Sequence, residues 1–145
     1  MILFLDTSSQ QNFQIVIIEK DKIVFNKKYK AKNRLDDIFK ELKNIDLNKI
    51  KYFATNIGPK NLDGENASFT GLRVSSVIGN TMFMANRVKL MGLEIKGKTT
   101  IIDILDIISK KIQDKDFPKI LLPNYSNKPN ITTRGSRWDQ KTAIC

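Results

Sequence analysis

One stretch, Ser68–Asn86, limits how this chain can fold more than any other part of the sequence. It reads SFTGLRVSSVIGNTMFMAN, and Arg73 is the only charged residue in it. A helix of this composition is apolar on two opposite sides, and such a helix is usually buried on both. In so small a chain, we expect the second side to be covered by another molecule. At helical spacing, one side carries Val74, Ile78, Met82 and Ala85, and the other carries Phe69, Leu72 and Phe83.

Small residues run along the same helix between its two apolar sides. Ser75 and Gly79 are four residues apart, so they lie on one stripe that lets a second helix approach closely. That second helix belongs either to the chain itself or to another protein. Gly71 costs about 1 kcal/mol in a helix interior relative to alanine, which predicts that another backbone passes close to it.

The composition is that of one globular domain. The chain has 145 residues, 41% of them apolar and 28% charged. The start, MILFLDTSS, has no basic region of the kind that opens a signal peptide, and no apolar run is long enough to cross a bilayer. Cys145 is the only cysteine, so no disulfide is expected and a reactive thiol at this terminal position is not expected either. These features predict a cytoplasmic protein without a membrane contact.

Charge and histidine content exclude several classes of function. The net charge of +10 is typical of nucleic-acid binding, but the lysines are scattered and outnumber the arginines about four to one. Such a bias also arises when a genome is rich in AT base pairs. The chain has no histidine, which removes the commonest general base, the serine and cysteine triads, and histidine-based metal sites.

Hydrophobic periodicity predicts five strands and three helices, followed by a short strand. Strands with short connections come first, and later strands alternate with helices. Asn33 is the expected cap of the first helix, and Thr99 or Thr100 the cap of the last. The predicted strands are Met1–Asp6, Phe13–Glu19, Ile23–Lys30, Lys51–Ile57, Val88–Glu94 and Ile120–Leu122, and the predicted helices are Arg34–Asn44, Ser68–Asn86 and a helix that ends near Gln113.

This order of elements, βββαβα, predicts an α/β fold. Three successive strands form an antiparallel meander, and a helical crossover then places the fourth strand parallel to an earlier one. The order matches half of an actin-like, ribonuclease-H-like architecture. We expect residues 1–94 to form this lobe, residues 95–122 a reduced second portion, and residues 123–145 a surface tail or a partly disordered one.

The turn after the first strand, Asp6-Thr7-Ser8-Ser9, allows two interpretations. In actin-like ATPases this turn approaches the nucleotide phosphates, although nucleotide-binding versions contain glycine and this one does not. The favoured interpretation is a polar strand end whose side chains satisfy local backbone groups. Likewise, Ser68 or Thr70 either caps the following helix or helps to bind an anion there, and capping is favoured.

Three segments resemble the TsaB (YeaZ) family. They are ILFLDTSS at the N-terminus, Gly58-Pro59, and SFTGLR at the start of the apolar helix. The family typically has I-D-T-S at a strand end and an uninterrupted GPGSFTGLR, which here is split by KNLDGENA. The resemblance covers residues 1–94 and returns in LPNYSNKPNIT, whereas SRWDQKTAIC has no counterpart. The matching motif residues are Asp6, Thr7, Ser8, Gly58, Pro59, Ser68, Phe69, Thr70, Gly71, Leu72 and Arg73.

The resemblance implies a non-catalytic subunit that pairs with a TsaD-like enzyme through helices of the first lobe. With a TsaE-like ATPase, that pair transfers threonylcarbamoyl from threonylcarbamoyl-adenylate to an adenosine of tRNA. ATP and metal are then expected on the partner subunits, and no cofactor, metal or catalytic residue in this chain. The contact residues predicted on this basis are Leu35, Ile38, Phe39, Leu42, Leu72, Ser75, Ser76, Gly79 and Phe83.

Two other functions stay open at the level of sequence. One is a residual nucleotide-binding or peptidase-like activity, for which Asp6, Thr7 and Ser8 are the candidate contacts. The other is a basic RNA-binding module that uses the lysines with Arg134, Arg137 and Trp138. Without its partner, the chain is also expected to be able to pair with a second copy, which would cover the same apolar helices.

Overall fold

A computed structural model of the protein describes residues 1–125. They form five strands, three α-helices and one short 3-10 helix at Leu47–Lys49. The strands are β1 (Ile2–Asp6), β2 (Asn12–Glu19), β3 (Lys22–Lys30), β4 (Tyr52–Pro59) and β5 (Lys89–Ile95), and the α-helices are α1 (Arg34–Leu42), α2 (Phe69–Asn86) and α3 (Ile101–Asp114).

All five strands belong to one mixed sheet in the order β3-β2-β1-β4-β5. The first three strands are antiparallel, and the turn between β2 and β3 has Lys20 and Asp21 in the left-handed region, at φ of 52° and 62°. β4 pairs parallel with β1, and β5 pairs parallel with β4. The α/β prediction is therefore confirmed, and the strand order is that of the ribonuclease-H-like lobe of actin-like proteins.

Each face of the sheet has its own apolar core. Alternating strand residues point to opposite faces, so neighbouring positions on β1 enter different cores. Leu3 and Leu5 face α1 and α2, whereas Ile2 and Phe4 face α3. The helices thus form two layers, with α1 and α2 together on one side of the sheet and α3 alone on the other.

The stripe of small residues on α2 faces the chain's own sheet. A Cβ at Gly79 would lie 2.6 Å from the Phe53 ring and 2.7 Å from the Leu121 side chain. Ser75 is fully buried and Ser76 nearly so. The stripe therefore lets α2 approach β4 closely, and the expectation that it meets a second helix is wrong for the folded chain.

The segment after α3 closes this core without forming a strand. Leu121 is 2% exposed, and the Asn80 side chain donates to its carbonyl and accepts from its N–H, at 3.2 and 2.7 Å. Two such bonds replace sheet pairing, so the predicted strand over residues 120–122 is wrong.

Helix capping agrees with the sequence at two of three sites. Thr100 forms a reciprocal capping box with Asp103, and Ser68 accepts from the Gly71 N–H at 3.1 Å. Asn33 occupies the cap position of α1 but makes no capping bond, because its side chain donates to Asp36 instead. The expectations for Cys145, for the basic tail residues and for the C-terminal SRWDQKTAIC lie outside the described residues.

Replacing Gly79 with alanine tests the contact between α2 and β4. Gly79→Ala is expected to lower the free energy of unfolding by about 1–3 kcal/mol, because the new methyl group overpacks against the Phe53 ring. This loss outweighs alanine's higher helix propensity. Chemical denaturation measures the difference.

Gly97→Ala is the matched control, since a Cβ there meets nothing within 4 Å. It should change stability by no more than about 0.5 kcal/mol. A Gly79→Ala protein as stable as this control would contradict the packing described.

Candidate functional site

The two segments that carry the family resemblance lie against each other in the structure. The turn after β1 packs on the first turn of α2. The Ser68 N–H donates to the Ser8 carbonyl at 2.7 Å, and the Thr7 hydroxyl donates to the Gly71 carbonyl at 2.5 Å. This turn–helix junction, formed by residues 6–9 and 68–71, fixes where α2 begins relative to the sheet.

Glycine at position 71 is required by this junction. A Cβ there would lie 1.8 Å from the Thr7 carbonyl oxygen, a distance that no side chain can tolerate. The sequence-based expectation of a close backbone approach is therefore confirmed, and the approaching backbone is the chain's own.

Arg34, the first residue of α1, holds the other side of the junction. Its guanidinium donates to the carbonyl oxygens of Thr7, Ser9 and Gln10 at 2.9, 2.7 and 2.7 Å. Partial burial lowers the pKa of Arg34 from its ordinary value, and the nearby Asp6 carboxylate opposes that shift. Sequence analysis missed this role, because an arginine at the start of a helix gives no signal that distinguishes a buried anchor from a solvated charge.

The polar groups of the Asp-Thr-Ser turn are used within the chain. Asp6 is buried and accepts from the N–H and the hydroxyl of Ser8, at 3.0 and 2.6 Å. Burial raises the pKa of Asp6 above its ordinary value, although the Ser8 hydrogen bonds act in the opposite direction. The cavity beside Asp6 measures about 20 Å³, enough for one water and too small for a phosphate. The hydrogen bonds of Asp6 and Ser8 agree with the interpretation of this turn as a polar strand end.

A third segment of the resemblance joins the same place. Tyr125 stacks on the Phe69 ring with centroids 4.2 Å apart. Asn124 donates from its backbone to the Ile57 carbonyl at 2.6 Å, next to Gly58, whose φ of 91° suits only glycine. The motif residues at both ends of the described chain thus converge on the start of α2.

A long apolar groove separates α1 from α2 on the outer surface. It encloses about 700 Å³, and three of its side chains are largely exposed: Leu35 at 47%, Phe39 at 49% and Val77 at 61%. Its charged members are Lys43 and Arg73, and no carboxylate of residues 1–125 lines it. The other lining residues are Leu42, Leu47, Thr70, Val74, Ile78, Thr81, Met82, Ala85 and Asn86.

Only three of the predicted contact residues line this groove. Leu35 and Phe39 are exposed there, and Leu42 forms part of its floor. Phe83 is half-buried against the core, and the other five predicted residues are covered by the chain itself. Those five are Ile38, Leu72, Ser75, Ser76 and Gly79.

The side of α2 that faces outward differs from the side predicted to make contacts. The sequence places contacts on the side of Leu72 and Phe83, but the groove runs along Val74, Val77 and Thr81. Periodicity identified a helix with two apolar sides, and it could not tell which side meets the sheet. The small residues on α2 were the available signal. A helix that packs closely on a sheet such as the one containing β4 needs small residues at the contact, as a helix that packs on another helix does.

Residues 1–125 also show no metal-binding cluster and no membrane-spanning helix. Within this range, no three acidic or cysteine side chains come together in a way that could hold a metal ion. No helix there combines the length and the apolar character that crossing a membrane requires.

The chain is similar to known proteins among solved structures. No protein-family model and no curated protein matches the sequence. Among solved structures, YeaZ from Pseudomonas aeruginosa is 17% identical, with a TM-score of 0.49 over 64% of this chain and 44% of that chain. A second similar structure is described as an uncharacterized protein with similarity to peptidase YeaZ from Pseudomonas aeruginosa. It has the same identity and TM-score, over 64% of this chain and 42% of that chain.

A third similar structure is Pelota from Archaeoglobus fulgidus. It is 11% identical, with a TM-score of 0.47 over 79% of this chain and 32% of that chain. The chain spans less than half of the length of each of these three structures.

Gly71→Ala tests the turn–helix junction. The methyl group cannot coexist with the Thr7 carbonyl, so α2 must move away from β1, and we expect a loss of about 3 kcal/mol or more. Ser68→Ala serves for comparison, because it removes a cap from the same helix turn and should cost only about 1 kcal/mol. Equal losses in the two variants, measured by urea denaturation, would show that the close approach is not tight.

Asp6→Asn tests whether the buried carboxylate serves the fold. Because the folded-state pKa of Asp6 is raised above 3.8, the carboxyl group's stabilising contribution is complete below that pH. It is lost as the pH rises through the folded-state pKa. Asparagine keeps the acceptor for both Ser8 donors without a charge. We therefore expect Asp6→Asn to be at least as stable as the original protein at pH 7, with the advantage shrinking in acid.

Thermal melts at pH 7 and in mild acid measure this effect. Asp6→Ala lacks the acceptor and should be destabilised at both pH values. If Asp6→Asn is clearly less stable than the original protein at pH 7, the ionised carboxylate stabilises the fold, and the prediction is wrong.

Proposed function

We propose that this chain is a non-catalytic scaffold subunit that pairs with a TsaD-like enzyme in threonylcarbamoyladenosine modification of tRNA. The observation that carries the proposal is the apolar groove between α1 and α2. A TsaE-like ATPase completes the proposed complex, and tRNA contacts it through the assembled subunits. ATP and metal are assigned to the partners.

The groove has the form of a site for helices. Two neighbouring helices that leave exposed leucine, phenylalanine and valine side chains along their shared edge offer ridges to a partner's helices. The Phe39 and Val77 side chains project from opposite walls, one from α1 and one from α2. Apolar anchors of this kind, surrounded by a polar rim, are typical of the energetic centre of an interface.

The charge of the groove favours an acidic partner surface. Lys43 and Arg73 line it, and no carboxylate in the described part of the chain does so. Opposite charges on a partner would orient the two proteins and speed their association. Two copies of this chain would instead bring like charges together, so we expect self-association through this groove to be weaker than pairing with the enzyme.

A scaffold role agrees with how the chain uses its reactive groups. It has no histidine, and the hydroxyl groups of Thr7 and Ser8 are engaged in bonds within the turn–helix junction. The polar turn at the end of β1 instead supports α2, which forms one wall of the groove. Loss of that turn would therefore weaken partner binding indirectly.

Paired substitutions in the groove test the proposal. Phe39→Asp with Val77→Asp should weaken binding of the TsaD-like protein of the same organism by about 100-fold or more, since two exposed anchors are replaced by charges. Phe39 is 49% exposed and Val77 61% exposed, so the fold should persist. Isothermal titration with the purified partner measures affinity, and reconstituted tRNA modification measures activity.

Ile102→Asp is the matched control. Its side chain is 69% exposed on α3, on the opposite side of the sheet. It should leave both binding and modification unchanged. If the groove variant binds as tightly as this control, the groove is not the pairing surface. If the TsaD-like and TsaE-like proteins modify tRNA equally well when this chain is left out, the scaffold role is wrong.

A further inference from the structure

A second surface, on the other side of α1, has the features of a peptide-binding edge. β3 is the outermost strand of the sheet, and within residues 1–125 nothing pairs with its outer edge. In an antiparallel pair, every second residue turns its backbone N–H and C=O away from the neighbouring strand. β3 is nine residues long, so it presents a row of backbone donors and acceptors to solvent.

The two faces of β3 differ in character. The register with β2 places Phe25 and Tyr29 on the side of α1, opposite Ile17 and Phe13. Lys28 and Lys30 lie on the other side, opposite Gln14 and Asn12. Lys27, opposite Ile15, shares the side of Phe25 and Tyr29. One side of the edge therefore combines aromatic rings with a lysine, and the other side is basic.

A groove lies beside the aromatic face. It encloses about 280 Å³ between β2, β3 and the C-terminal part of α1, with Ile17, Phe25, Tyr29 and Ile45 in its lining. Helix α1 is too short to cover this part of the sheet. Phe25 is left 40% exposed and the neighbouring Val24 56% exposed. Side chains from an added strand could enter this groove at every second residue.

The charge around the edge is mainly positive, although Glu41 lines the groove beside it. Six of the thirteen residues from 20 to 32 are lysines, and Asp21 is the only acidic residue among them. Lysines on an edge strand prevent pairing with a second copy, because like charges would then lie opposite each other. The same lysines attract a strand that carries the opposite charge.

We propose that β3 binds an extended acidic segment of a partner protein as a sixth strand of the sheet. The segment's acidic residues would lie beside Lys28 and Lys30, and its apolar residues beside Phe25 and Tyr29. Backbone pairing supplies affinity in this mode, and the alternation of side chains supplies specificity. This site is separate from the groove between α1 and α2, so each proposal can fail without the other.

A synthetic peptide tests the proposal. The probe is a fluorescently labelled ten-residue peptide of alternating glutamate and valine. A peptide of the same composition, with the glutamates in one block and the valines in another, cannot present one acidic and one apolar face. We expect the alternating peptide to bind the full chain more tightly than the block peptide, and to slow amide hydrogen exchange in β3.

Charge-neutralised variants locate the site. Lys28→Gln with Lys30→Gln should weaken binding of the alternating peptide by about fivefold. Lys110→Gln with Lys119→Gln is the matched control, since both side chains are exposed elsewhere and the net charge falls by the same amount. The control should bind like the original protein.

Four results would overturn the proposal. The first is equal affinity for the alternating and the block peptide, and the second is equal weakening of peptide binding in the two double variants. The third is that bound peptide does not slow amide exchange in β3. The fourth is that a single-stranded RNA of equal charge binds more tightly than the peptide without slowing amide exchange in β3. The last result would assign the lysines to nucleic acid. Concentration-dependent self-association that protects β3 would assign the edge to a second copy.

Discussion

The contact between the Thr7 carbonyl and Gly71 is the constraint on which the rest of the structure depends. It brings the backbone of the first strand's exit directly against the first turn of α2. With that turn fixed, α2 can lie only along β4, and its small residues must face the sheet. Arg34 binds the same carbonyl from α1, so one backbone oxygen sets the positions of both helices that wall the groove.

The junction also explains why two short motifs, far apart in sequence, matter together. Neither the strand-end turn nor the start of the helix has a complete set of partners alone. Ser68 is bonded to Ser8, and Thr7 to Gly71, so each motif satisfies polar groups of the other. The turn after β1 therefore positions the helix that forms one wall of the groove.

Sequence reasoning predicted most of the fold, but only Leu35, Phe39 and Leu42 of the predicted contact residues line the groove. Strand and helix periodicities were strong, and the mixed sheet followed from the lengths of the connections between them. The outward side of α2 did not follow, because Gly79 can serve a sheet or a helix partner equally well. Arg34 was missed because its three acceptors are backbone carbonyls, which no side-chain pattern reveals. Residues 120–122 were misassigned since Asn80 supplies from a side chain what a strand would supply from its backbone.

The position of Leu121 has a consequence for how the protein is made. This side chain seals the space between Gly79 and Gly92, yet it follows both by about thirty residues or more. During synthesis, β1 to β5 leave the ribosome before the residue that completes their core. The nascent lobe therefore waits with an open seam between α2 and β5, and its final closure takes place only when the segment after α3 has emerged.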